Sequence, residues 1–147
     1  MRMLCIFSVF LTVALSANDG MTSPVDTVEK FCELDFQGAR LSADGYKDIS
    51  GLVVSINGEP GWDTVFVTNS FKVVSEDTED QQGLVTVEYS FWGEASVAGV
   101  IANESVSQYQ FELRMDSDGV WRIENIPPYP RVSKSKASDI TGYSFSN

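Results

Sequence analysis

Ser107-Gln108-Tyr109-Gln110-Phe111-Glu112-Leu113-Arg114-Met115 runs into Asp116-Ser117-Asp118-Gly119 and returns through Val120-Trp121-Arg122-Ile123-Glu124-Asn125-Ile126. The first arm alternates polar and apolar residues, the period of a strand with one buried face. The Asp-rich tetrapeptide is a turn signal, with Gly119 free to take a positive φ. The return arm alternates again and stops at Pro127-Pro128-Tyr129-Pro130, whose prolines have no N–H to give a ladder. The stretch therefore predicts a β-hairpin from Ser107 to Ile126.

Two more strands are expected upstream. Leu84 to Trp92 puts Val85, Val87, Tyr89 and Phe91 on one face. Thr64 to Val74 puts Val65, Val67, Phe71 and Val73 on one face, with Phe66 as an exception. Asn69 falls among those apolar positions. It reads as a β-bulge, as a hydrogen-bonded core amide, or as a pocket group. Glu76 to Gln82 reads as a solvated acidic connection. Gly93 to Glu104, rich in Gly, Ala and Ser, reads as irregular. Asn103-Glu104-Ser105 matches the N-glycosylation triplet, a pattern that is common by chance.

The chain's main helix lies earlier. Ser23 is a good N-cap, Pro24 suits the first helical position, and Asp26 completes a capping-box-like pattern. A helix is expected from Pro24 to about Gln37. Val25, Val28, Phe31, Cys32, Phe36 and Ala39 fall on one side of it. Asp35 lies in the middle of that apolar arc. Such a carboxylate is paired, faces a cavity, or marks the end of the helix; the nearness of Gly38 favours a solvated or capping Asp at the end. Ala39 to Ser55 suggests one or two short helical turns, and Asn57-Gly58-Glu59-Pro60-Gly61 a loop. Helices followed by antiparallel strands give an α+β layer. The apolar sheet face needs a cover, and the N-terminal helix is the candidate.

The 147 residues make one domain's worth of chain. Residues 1–17 have the charged start, short apolar run and small residues of a secretory signal peptide. The run is shorter than the roughly 20 residues of a membrane span. The expectation is an exported protein, periplasmic or secreted, with residues 18–22 as a leader and no stable membrane insertion after cleavage. Residues 133–147 read as a loosely ordered tail in which Ala137, Ile140 and Tyr143 are able to dock. With the signal removed, Cys32 is the last cysteine, which argues for a buried thiol instead of an internal disulfide.

The net charge is −11 and there is no histidine. Acidity disfavours nucleic acid and anionic membrane surfaces. The lack of histidine removes Ser-His-Asp and Cys-His catalysis and His-based zinc sites. No phosphate-binding glycine loop is present, and no acidic pair has metal-site spacing. Asp116–Gly119 reads as turn chemistry and not as a calcium loop. No cofactor or metal is expected.

Residues 23–132 resemble the NTF2-like superfamily of cone-shaped α+β domains. The resemblance rests on Ser23–Cys32 as a first helix, Glu59-Pro60-Gly61-Trp62-Asp63 as the lead into the sheet, the long alternating strands, and Asp118-Gly119-Val120-Trp121-Arg122-Ile123 as a closing motif. It implies N-terminal helices on a curved antiparallel sheet of about four strands, with a conical cavity between them. Asp35, Asn69, Tyr89 and Tyr109 are the expected polar members of that cavity and the candidate ligand-binding residues. The fold hosts isomerases and dehydratases as well as domains without known activity, so it does not decide function.

The leading expectation is a non-catalytic binding or interaction domain, with a small apolar ligand or a homodimer through the outer sheet face, where Phe66 and Trp92 are placed. The alternative is a ketosteroid-isomerase-like or dehydratase-like enzyme with Asp35 as base and Tyr89 or Tyr109 as donor. No position matches that enzyme family's catalytic pattern residue by residue.

Overall fold

The computed structural model describes residues 23–55 and 62–145. The expected signal peptide, the leader and the loop at 57–61 lie outside them. Helix α1, Pro24–Phe36, begins where the capping pattern places it: the Ser23 side chain accepts a hydrogen bond from the Asp26 N–H. It ends at Gly38, whose φ of 87° is a left-handed conformation open to glycine. A single 3-10 turn, Ala39–Leu41, leads into α2, Ala43–Ser50, capped by Ser42. These are the two short turns expected between Ala39 and Ser55.

Three long strands follow as an antiparallel meander: β1, Thr64–Glu79; β2, Gln82–Ser96; and β3, Gly99–Met115. Two shorter strands complete the curled sheet. β4, Trp121–Ile123, pairs antiparallel with the end of β3, and β5, Arg131–Ser133, pairs parallel with Phe66–Thr68 of β1. The order is β4-β3-β2-β1-β5. The architecture is α+β with a curved sheet, as expected. It has five strands among the described residues instead of about four, and one pairing is parallel.

The strands are longer than alternation alone suggested. Residues 76–79 belong to β1, and a two-residue turn at Asp80-Gln81 closes the hairpin, with Asp80 at a φ of 53°. Acidic side chains here decorate the β1 arm of the hairpin, which tolerates them because residues 75–79 are exposed on both faces. Likewise most of 93–104 is strand: β2 continues to Ser96 and β3 starts at Gly99. The tail also has structure. Helix α3, Lys134–Thr141, follows β5 directly, is capped by Ser133, and buries Ala137.

Bulges cross the sheet at one level. Asn69 is the extra residue in β1, Trp92 in β2, and residues 103–104 in β3. Below this crease Val85, Val87, Tyr89 and Phe91 face α1 in the main core with Val28, Phe31, Phe111, Leu113, Trp121 and Ile123. Beyond it Val65, Val67 and Ala95 join Val132 and Ala137 in a second, smaller core against α3. Phe66, between Val65 and Val67, packs with the main core instead. Successive strand residues point to opposite faces, so the two cores lie on opposite sides of β1.

This placement corrects the expectation that Phe66 and Trp92 share an exposed outer face. Phe66 stands 5.2 Å from Phe91 and 5.8 Å from Tyr129, ring to ring. Trp92 is on the other side, with Phe145 at 4.8 Å and Tyr143 at 6.2 Å. The bulges change the parity of the alternation, which simple counting could not register.

Candidate functional site

The buried stripe of α1 runs Pro24, Thr27, Val28, Phe31, Cys32, Asp35. Asp35 is its last member and is 1% exposed. The solvated or capping reading of this residue is therefore overturned: the helix carries the carboxylate into the core before Gly38 ends it. Two arginines meet it there. Arg40 of the 3-10 turn, also 1% exposed, brings Nη1 to 3.6 Å from Asp35 Oδ2. The Arg131 backbone N–H donates to the same oxygen at 3.1 Å.

The Arg131 side chain lies over the aromatic wall of the sheet. Its Cζ is 4.6 Å from the Tyr89 ring centroid, 5.2 Å from Tyr109 and 5.7 Å from Phe91. Arg40 stands 5.0 Å from the Trp62 ring. Each guanidinium lies against an aromatic ring, and that of Arg40 also meets Asp35, the preferred use of arginine in a low-dielectric place. Tyr89 does not reach Asp35; its hydroxyl shares a hydrogen bond with Cys32 Sγ at 3.1 Å.

The electrostatics follow from burial. Burial pushes the Asp35 carboxyl up from 3.8 to about 6, and the attraction of Arg40 and the Arg131 N–H offsets only part of that. Burial pushes the Cys32 thiol up to about 12, against the pull of the Tyr89 hydrogen bond. Tyr89 and Tyr109 are raised for the same reason, and burial lowers Arg131. An inert thiol and two neutral phenols are what these groups offer near neutral pH.

Of the expected site residues, Asp35, Tyr89 and Tyr109 converge around Arg131. Asn69 does not: it is exposed at the β1 bulge, the first of its three readings. Arg40 and Arg131 went unnoticed in the sequence. The available signal was a lone cation set between apolar residues, Ala39-Arg40-Leu41 and Pro130-Arg131-Val132. Among the described residues, six buried side-chain atoms have no hydrogen-bond partner: Asp35 Oδ1, Arg40 Nε and Nη1, Trp62 Nε1, and Arg131 Nε and Nη1. Five belong to the two arginines and the carboxylate, which carry one net positive charge between them.

Phe31, Tyr89 and Phe111 pack together under α1, with the Arg131 side chain over the Tyr89 ring. A groove of about 570 Å³ lies elsewhere, against the second core, with Trp62, Val65, Ala95, Val100, Ile140 and Tyr143 among its lining. Among the described residues, no group of three His, Cys, Asp or Glu is placed to hold a metal ion, and no helix is long and apolar enough to cross a membrane. Comparison with family models, curated proteins and solved structures returns no match for this chain.

Proposed function

We propose that the chain is an exported, non-catalytic binding or interaction domain built on an NTF2-like cone. One observation carries this reading: Asp35, Tyr89 and Arg131 each contact another protein group under α1, with Asp35 using one of its two carboxylate oxygens. Asp35 holds Arg40 and the Arg131 backbone, Tyr89 holds Cys32, and Arg131 covers the rings. A general base needs its carboxylate within reach of a substrate proton, and here an arginine occupies that approach. Helices over a curled sheet support the cone, and the apolar run in residues 4–15 supports export.

One observation favours the enzymatic alternative, in which Asp35 is the base of an isomerase or dehydratase. Its carboxyl at about 6 lies in the range where general bases work. A thermal-shift panel of small apolar ligands, run on the wild type and on Asp35→Asn, separates the two. A binding domain gives ligand-induced shifts that survive Asp35→Asn. Proton exchange at the α-carbon of a cyclic enone that Asp35→Asn abolishes would establish the enzyme instead.

A further inference from the structure

We infer that the open edge of β3, centred on Ser105–Gln110, pairs with the same edge of a second copy of this chain and joins the two sheets across a two-fold axis. The inference concerns the rim of the sheet and stands apart from the reading of the interior. β4 pairs only with Leu113–Met115. The next residues are closed by a loop: Glu124 N–H donates to the Glu112 carbonyl, Asn125 Oδ1 accepts from the Glu112 N–H at 2.7 Å, and Asn125 Nδ2 donates to the Gln110 carbonyl at 3.0 Å. Asn125 thus imitates a neighbouring strand for one repeat. From Tyr109 back to Gly99 no strand among the described residues lies beyond β3.

The same bonds fix which groups face outward. Glu112 turns its N–H and C=O away from β2, so by the period of two Gln110, Gln108 and Val106 do the same. The Gln110 carbonyl is taken by Asn125, and at Gln108 and Val106 the outward donors and acceptors are ready for another strand. The chemistry of this edge differs from that of the opposite rim. Beyond Thr68 the β1 edge carries Lys72, Glu76, Asp77 and Glu79 and a second bulge at Val74, the devices that keep strands apart. Ser105-Val106-Ser107-Gln108-Tyr109-Gln110 carries no charge at all.

That neutrality selects the partner. The chain has a net charge of −11, so two copies repel over most of their surfaces, and this strip lets them meet without like charges opposite. Glu88, opposite Gln108 on β2, is neutralised by Lys72 at 3.1 Å and accepts from Gln108 at 3.3 Å, while Glu104 and Glu112 flank the neutral strip at its two ends. Antiparallel pairing about a two-fold axis is self-complementary, and Val106, 65% exposed, supplies apolar surface at the junction.

Sedimentation of the intact chain over a wide concentration range tests this, alongside Val106→Pro. Proline there removes an outward N–H and leaves the β2–β3 ladder whole. Wild type is expected to move towards twice the monomer mass with concentration, and Val106→Pro to stay monomeric with an unchanged melting midpoint. A wild type that is monomeric throughout, or a dimer that Val106→Pro leaves intact, overturns the inference. Should Val106→Pro fail to fold, amide exchange of the wild type decides. The Val106 and Gln108 amides slow at least about tenfold in concentrated solution and recover on dilution. Fast exchange at both concentrations, or protection independent of concentration because the chain covers its own edge, refutes it.

Discussion

Asp35 and Arg40 are five residues apart in sequence, and both are buried. Taking either from water is costly, and each is tolerable because of the other. Arg40→Met keeps most of the volume and removes the charge, leaving the carboxylate with only the Arg131 side of its environment. The expected loss at pH 7 is about 3–5 kcal/mol in urea denaturation. Without Arg40 the carboxyl rises further and the variant takes up its proton first, so the loss should shrink as pH falls towards about 6, where the wild-type Asp35 is also protonated. The sign follows from the raised carboxyl. Asp35's own contribution is greatest below its ordinary value of 3.8 and is lost as pH rises through about 6. A loss that grows on acidification would contradict this ordering. The position of Asp35 on the apolar arc was legible from helical spacing. Its inward direction was not, because Gly38 offered an equally good explanation and the partner at Arg131 lies 96 residues away.

At the scale of elements, the crease at Asn69, Trp92 and residues 103–104 explains both the success and the failure of the pattern. Between crease and hairpin tip, alternation named the inward residues of β2 and β3 correctly: Val85, Val87, Tyr89, Phe91, Phe111 and Leu113 are all buried. Beyond the crease the parity reverses, so Val65 and Val67 were assigned to the wrong core. Gly93 holds the crease. Its φ is 157°, and a Cβ there would stand 2.1 Å from the Ile101 carbonyl oxygen. Gly93→Ala is expected to lower stability by about 2–4 kcal/mol. Gly51→Ala is the control: Gly51 has open space around it and ordinary φ, and its effect should stay within about 0.5 kcal/mol. Equal effects at the two glycines would show that the crease tolerates a side chain.

For the whole molecule, the two cores share one sheet but are closed by opposite ends of the chain. α1 covers the first; β5 and α3 cover the second. Residues 133–147 looked like a tail, and β5 at 131–133 went unseen, because the Ser and Lys content of this segment gives weak periodicity, and a three-residue parallel strand leaves almost no signal in sequence. Residues 131–147 hold Val132 and Ala137, both fully buried, and Arg131. A chain ending at Pro130 is expected to lose its cooperative thermal transition and to bind a hydrophobic dye, since Val67 and Ala95 would be uncovered. A sharp transition in the truncated chain would mean that the first core suffices alone.

The parallel pairing of β5 with β1 also sets an order in time. The meander from Thr64 to Met115 is built from neighbours in sequence and is ready as soon as it is synthesised. The pieces that finish both cores, the Arg131 N–H for Asp35 and Val132 for Val67, come from β5, which follows the whole meander in sequence. A nascent chain can therefore gather its sheet early but cannot lock it until β5 has emerged and returned to β1, so closure of both cores waits on the segment after Pro130.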